Sequence, residues 1–300
     1  MTLRKPSPER PRKAEFRYGS QQARASSASV SYQPLVTPGT TLSDGVQIDA
    51  RLGRGGMSEV WRATTAAGES VALKIPRTDL RTRSVASALI RREFRVLESL
   101  SHAHVLRSLR LIAVQEMPGL ITEYLEGGDL APLLGTHPRH WARAAREVAL
   151  ALGYIHERGK VHRDVKARNV LFSGAGDVRL VDFALAADAG GHAPRGGGTV
   201  AYASLAQRQG ASPEVADDVH AFAVLLYELL AGRLPFGVNP PLDVLQAEPS
   251  PPLATPDGPD PESRALAELV QQTLSPGRQS APRGVRPFLD VLESMLLAYA

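Results

Sequence analysis

The 300-residue chain contains no cysteine, which excludes disulfides and thiolate metal sites and fits a reducing compartment. It also lacks any apolar run of the ~18 residues that a membrane-spanning helix requires. No hydrophobic stretch separates its N-terminal charges from a cleavage site, so a cytoplasmic protein without a membrane span is expected. Large apolar side chains are scarce in residues 1–45, which hold seven basic and three acidic residues and eleven serines or threonines. That composition predicts a disordered, basic, Ser/Pro-containing tail over residues 1–41. The tail carries the whole of the formal charge of +4, leaving residues 46–300 neutral. A solvated tether is therefore expected, with no specific nucleic-acid partner. Ser26, Ser27, Ser29 and Ser31 within it are candidate autophosphorylation sites.

What remains is a chain with 43% hydrophobic residues, enough for a sizeable core or two lobes. Its most informative run is VHRDVKARN, which packs His162, Arg163, Asp164, Lys166 and Asn169 into a few positions, with Asp182 and Phe183 following in VRLVDFA. Taken alone this could be a solvated polar loop, and the context upstream decides against that. Residues 46–53 read as a strand that runs into Gly53, Gly55 and Gly56, and a second strand resumes over residues 59–64. Glycines at such a turn let backbone N–H groups approach phosphates without an intervening Cβ. The strand Val71-Ala72-Leu73-Lys74 follows at a short distance.

A helix is expected from about Arg83 to Leu100, with Val85, Leu89, Leu97 and Leu100 as its buried stripe. Glu93 lies on that stripe, whereas Glu98 is turned roughly 140° away. A carboxylate on an apolar face is costly unless paired, so Glu93 points to a buried cation, with Lys74 as the candidate. Further strands are expected in RSLRLIAV and LITEYL, separated by a turn at Met117-Pro118-Gly119. Trp141, Ala145, Val148, Leu152 and Ile155 mark a long helix leading to the polar run. A second hydrophobic helix, DDVHAFAVLLYELLAG, begins at Asp217 and Asp218 and ends at Gly232.

Together these motifs resemble protein kinases. The loop GRGGMSEV, with Ser58 where a third glycine is usual, is similar to that of bacterial serine/threonine kinases of the eukaryotic-like type, and the resemblance covers about Leu42 to Leu297. It implies an α+β, two-lobed protein-kinase fold: a small antiparallel β-sheet lobe with one key helix over residues 42–125, and a larger helical lobe over 126–300. It implies transfer of the γ-phosphoryl group of ATP to protein hydroxyls, autophosphorylation included, with Mg2+ as the metal and Mn2+ as a substitute. The family's roles then fall on this sequence as follows. Asp164 is the base, Lys166 the counter-charge beside the moving phosphoryl group, and Lys74 with Glu93 the phosphate-holding pair. Asn169 and Asp182 are oxygen ligands to the metal, and Thr199 positions the substrate.

Nucleotide contacts are implied for Leu52, Gly53, Gly55, Gly56, Val60, Ala72, Thr122, Glu123, Leu125 and Asp129, with residues 123–125 as the hinge. His162, Arg163, Phe183 and Asp218 are implied to be structural, Asp218 gripping the backbone of the His-Arg-Asp turn or capping its helix. The partner is a protein substrate, with a homodimer admitted. A pseudokinase scaffold is the alternative, because three positions depart from the family pattern. A small-molecule kinase is a weaker one, argued against by the arrangement of Lys166 and Thr199.

The first departure is Ala184, which stands where the metal-binding turn usually has glycine; a positive φ there would strain it by on the order of 1 kcal/mol. The second is Leu205-Ala206, in place of a Pro-Glu pair whose glutamate usually meets an arginine near the C-terminus, here Arg283 or else Arg278. An arginine left without its partner predicts compensation nearby or a mobile segment. The third is that residues 184–198 contain no Ser, Thr or Tyr, so Arg163 has no phosphate acceptor in the usual place. Independence from phosphorylation of that segment is expected, with Thr199, Tyr202 or a partner as the remaining controls.

Overall fold

The computed structural model describes residues 34–77, 83–193, 198–247, 253, 261–275 and 282–300. They form an α+β architecture of two lobes. In the first, β1 (Gln47–Arg54) turns through the glycine loop into β2 (Ser58–Thr64) and β3 (Ser70–Pro76). Helix α1 (Arg83–Glu98) follows, then β4 (Ser108–Val114) and β5 (Met117–Glu123). The antiparallel sheet runs in the order β1-β2-β3-β5-β4. Side chains alternate between its faces: Trp61, Ala63, Val71, Leu73 and Ile75 bury on one side, whereas Val60, Ala72 and Lys74 line a cleft on the other.

The first face is covered by residues expected to belong to the tail. Leu35 and Val36 are buried in the same apolar cluster as Ile48 and Trp61. The Gly39 N–H donates to the Ile48 carbonyl at 2.8 Å, and Gln115 Nε2 donates to the Leu35 carbonyl at 2.9 Å. Residues 34–41 are therefore part of the small lobe. Ser26, Ser27, Ser29, Ser31 and Arg278 lie outside the described residues.

Helix α1 buries Ala86, Ile90, Glu93 and Leu97. The expected stripe is corrected at its start: Val85 is 49% exposed and Leu89 only partly buried. Val85 stands eight residues from Glu93, roughly 80° around the helix, and Ala86 seven residues, within about 20°. A small side chain lets the first turn approach the sheet, so the pattern of large apolar residues misplaced the face. The expected turn at Met117-Pro118-Gly119 is also corrected. The hairpin turns at Gln115 and Glu116, both with positive φ (47° and 68°), the geometry of a two-residue type I′ connection. Gly119 lies inside β5 because a Cβ there would meet Val114 at 2.9 Å and Leu73 at 3.0 Å. Pro118 precedes the part of β5 that pairs with β3, so its missing N–H costs that ladder nothing.

The second lobe contains β6 (Gly128–Asp129), α2 (Ala142–Glu157), β7 (Lys160–Val161), β8 (Val170–Phe172), β9 (Val178–Leu180) and β10 (Ala187–Asp188). Helices α3 (Leu205–Arg208), α4 (Val215–Ala231), α5 (Leu242–Ala247), α6 (Pro261–Leu274) and α7 (Arg286–Ala298) complete it. Trp141, Ala145, Val148, Leu152 and Ile155 are fully buried, as their spacing predicts. Helix α4 is buried almost all round, with Phe222, Leu225, Leu226 and Leu229 inaccessible. A capping box between Glu214 and Asp217 starts it, and Gly232 at φ 68° ends it. Among the described residues no helix is long and apolar enough to cross a membrane.

Candidate active site

The floor of the cleft is a loop pinned from below. Asp218, inaccessible near the start of α4, accepts from the backbone N–H of His162 and of Arg163, each at 2.7 Å, and meets His156 Nε2 at 2.9 Å. Asp217 supplies the helix cap and Asp218 the grip, so the two readings of this pair divide between neighbours. The grip sustains an unfavourable backbone: Arg163 has φ 70°, which costs a non-glycine residue about 1–2 kcal/mol. His162 Nδ1 accepts from the Asp164 N–H at 3.2 Å, which leaves Nε2 protonated and facing the Val181 carbonyl at 3.0 Å. Burial pushes its imidazole below the ordinary range, outweighing nearby Asp218, Asp164 and Asp182, and its ring meets Phe183 edge-on at 4.6 Å. His162 is thereby a neutral bridge between two backbone segments.

Above this floor four polar side chains close on one another. Asp164 Oδ2 accepts from Lys166 Nζ at 2.6 Å and from Asn169 Nδ2 at 2.9 Å, while Oδ1 accepts from Thr199 N and Oγ1 at 2.9 and 3.0 Å. Lys166 Nζ also donates to Thr199 Oγ1 at 2.7 Å. Because Asn169 spends its amide hydrogens on Asp164, its Oδ1 is left as a hard oxygen donor. Across the cleft, Lys74 Nζ donates to Glu93 Oε2 at 2.6 Å and to Asp182 Oδ1 at 2.8 Å. Glu93 is 1% exposed, and burial raises its carboxyl against the pull of Lys74. Burial acts the same way on Asp182, but there Lys74, with Lys166 and His162, prevails and holds the carboxyl down at about 2. The Asp182 side chain is 40% exposed, so this carboxylate faces the open cleft.

Of the predicted nucleotide-contact residues, Leu52, Gly53, Gly55, Val60, Ala72, Thr122, Glu123 and Leu125 line this cleft together with Lys74, Lys166, Asn169 and Asp182. Gly56 and Asp129 do not: Gly56 sits at the loop tip, and Asp129 Oδ1 accepts from the Ala131 N–H at 3.0 Å. Leu106, Leu120, Leu171 and Val181 line the cleft without having been singled out. Leu171 follows Asn169 by two residues and Val181 precedes Asp182, so closeness to the polar motifs was the available signal. His156 gave no such sign.

Two expectations about the departures are corrected. Ala184 does not take a positive φ; that backbone belongs to Asp182 at 66°, and Ala184 sits in a single 3-10 turn, Phe183–Leu185. Aspartate tolerates the left-handed region better than alanine, so alanine is unstrained where it stands. Arg283 is exposed, so a missing glutamate at Ala206 strands no charge in the interior. Helix α3 is fixed by other means. Ser204 caps it by accepting from Gln207 N and donates to Asp217, and Gln207 Nε2 donates to the Arg163 carbonyl at 2.9 Å. Tyr202 donates its hydroxyl to Glu228.

The described part of the segment after Asp182 is attached to the floor. Arg92 Nε donates to the Ala186 carbonyl at 2.9 Å, β10 pairs with β7, and Lys160 meets Asp188 at 2.5 Å.

Comparison with known proteins yields a family match and several relatives. A model of the protein kinase domain matches residues 46–276. The chain is 30% identical over 282 residues to serine/threonine-protein kinase pkn2 of Myxococcus xanthus, covering 86% of this chain and 33% of that protein. It is 36% identical over 204 residues to CBL-interacting protein kinase 4 of Oryza sativa subsp. japonica, covering 63% and 45%. Over 243 residues it is 30% identical to serine/threonine-protein kinase PknB of Mycobacterium tuberculosis, covering 75% and 39%. The chain thus spans between a third and under a half of the length of these relatives.

Proposed function

The chain belongs to the protein kinase family, and from that premise we propose that it transfers the γ-phosphoryl group of ATP to serine or threonine hydroxyls of protein substrates, itself included. The observation that carries this reading is the convergence of two clusters on one cleft: Lys74 between Glu93 and Asp182, and Asp164 among Lys166, Asn169 and Thr199.

Asp164 accepts the proton of the incoming hydroxyl through the oxygen that now faces Thr199, and Thr199 orients that hydroxyl. Lys166, already between Asp164 and Thr199, neutralises charge on the phosphoryl oxygens during transfer. Lys74 holds the α and β phosphates, and Glu93 fixes its ammonium in place. Asp182 and Asn169 offer a carboxylate and an amide oxygen, a hard donor set that fits Mg2+, with Mn2+ as a substitute. When bound, the metal bridges and neutralises the phosphates. The hinge at residues 123–125 receives the adenine, with Thr122, 6% exposed, behind it. Glu123 keeps its carboxylate out of that contact by accepting from the Arg107 N–H at 2.8 Å.

The ties from Arg92, Lys160 and Gln207 to the segment after Asp182 support activity without a phosphate on it. A cytoplasmic location accords with the composition. The function is tested by incubating purified protein with magnesium ATP and a basic protein substrate. Transfer by the wild type that is lost in both Asp164→Asn and Lys74→Met is the expected result; a wild type that neither transfers phosphate nor binds ATP contradicts the proposal.

A further inference from the structure

The tip of the glycine loop presents three consecutive carbonyls, and all three accept from one residue. Arg77, immediately after β3, donates from Nη1 to the carbonyl oxygens of Gly55 at 3.1 Å and Gly56 at 3.2 Å. Its backbone N–H donates to the Met57 carbonyl at 3.1 Å. A terminal guanidinium nitrogen carries two N–H bonds, so Nη1 serves both glycines without sharing a proton. Because the donor is charged, these contacts are stronger than neutral ones.

Peptide geometry turns the capture of carbonyls into the aiming of amides. The described peptide bonds are trans, and in a planar trans peptide the N–H points opposite to the C=O. Carbonyls of Gly55 and Gly56 held toward Arg77 therefore turn the N–H groups of Gly56 and Met57 the other way. Arg77 does not line the cleft, whereas Gly55 and Ser58, which flank those amides, do. Strand β3 sends Ala72 and Lys74 into the cleft and Val71, Leu73 and Ile75 into the core on the opposite face; Arg77 follows in the second register. Without a hold of this kind a Gly-Gly pair samples many backbone orientations.

We infer that Arg77 is a positioning residue for ATP: acting from outside the cleft, it fixes the glycine loop with the Gly56 and Met57 N–H groups turned inward as donors to the phosphates. Consecutive backbone amides make an anion-binding concavity only when they point the same way. Arg77 supplies that alignment without touching nucleotide. The inference rests on the ATP-dependent function proposed above and adds that nucleotide affinity is split, its phosphate share depending on Arg77 and its adenosine share not.

Calorimetric titration of the full chain with adenosine, magnesium ADP and magnesium ATP tests this, comparing wild type with Arg77→Met. The expected result is equal adenosine affinity in both proteins, with ADP and ATP bound about tenfold more weakly by the variant. Arg77→Lys, which keeps the charge and one donor nitrogen, falls between them and carries the same comparison if Arg77→Met proves unstable. Equal ATP affinity in wild type and variants overturns the inference and leaves the kinase reading standing. So does a loss of adenosine affinity as large as that of ATP, because the arginine would then be supporting the whole lobe. A wild type that binds no ATP sinks both.

Discussion

The two walls of the cleft are built by opposite means. The catalytic loop below is held by burial: Asp218 is inaccessible, His162 likewise, and Asp164 and Asn169 are less than a tenth exposed. The glycine loop above is held by an arginine at the surface that grips bare backbone. The contrast follows from what each wall must do. Asp164, Lys166 and Thr199 must keep contacts of about 3 Å through every turnover, and buried hydrogen bonds are costly to break. A wall that admits and releases nucleotide is better served by exposed contacts, each of which contributes little.

Breaking the floor should therefore abolish function, and the largest effect is expected from Asp164→Asn. Transfer should fall about a thousandfold while the melting temperature stays near that of the wild type, since asparagine can still accept from Asn169 and Thr199. Steady-state rates with calorimetry check both halves. Asp218→Ala comes next. It strands the N–H groups of His162 and Arg163, and urea denaturation should record a loss of about 3 kcal/mol together with lost activity.

Acid sharpens the comparison more gently. Burial lowers the imidazoles of His162 and His220, the latter to about 4. For a base with a depressed value, the unfolded chain takes up the proton first. Its stabilisation is thus complete above the unfolded value of about 6.5 and declines as pH falls below it. The melting temperature should drop between about pH 7 and pH 5, and His220→Phe should flatten that slope. A further loss is expected below about pH 4. There burial and the opposing hydrogen bonds from His156 and Arg163 leave the Asp218 carboxyl depressed, so its stabilisation is present above the unfolded value and lost beneath it. The smallest effect belongs to Ala184→Gly. The left-handed backbone is at Asp182, so glycine at 184 relieves no strain, and transfer rates should be essentially unchanged.

How much of this was legible in the sequence follows the same division. Lys74, Asp164, Asn169 and Asp182 were identifiable because phosphoryl transfer demands particular groups at strict separations, and the structure brings those four to one cleft. Glu93 was found because a carboxylate on an apolar stripe requires a partner, although the stripe was drawn through Val85 instead of Ala86. The hairpin at Gln115-Glu116 was missed because Pro118-Gly119 is the stronger local signal; only the packing of Val114 and Leu73 explains that glycine. Arg77 and His156 could not be read at all. Their partners are backbone carbonyls and a distant aspartate, and no spacing along the chain encodes either contact.

The central claim is that the catalytic group is complete without a phosphate on the segment between Asp182 and Gly198. The most direct measurement compares initial rates of transfer to a protein substrate by the untreated enzyme and by enzyme exhaustively treated with phosphatase, with mass spectrometry verifying that the treated protein is unmodified. The account predicts equal rates, because Arg92, Lys160, Gln207 and Thr199 already fasten the segment to the floor. A treated enzyme that loses all activity and recovers it on rephosphorylation contradicts the claim.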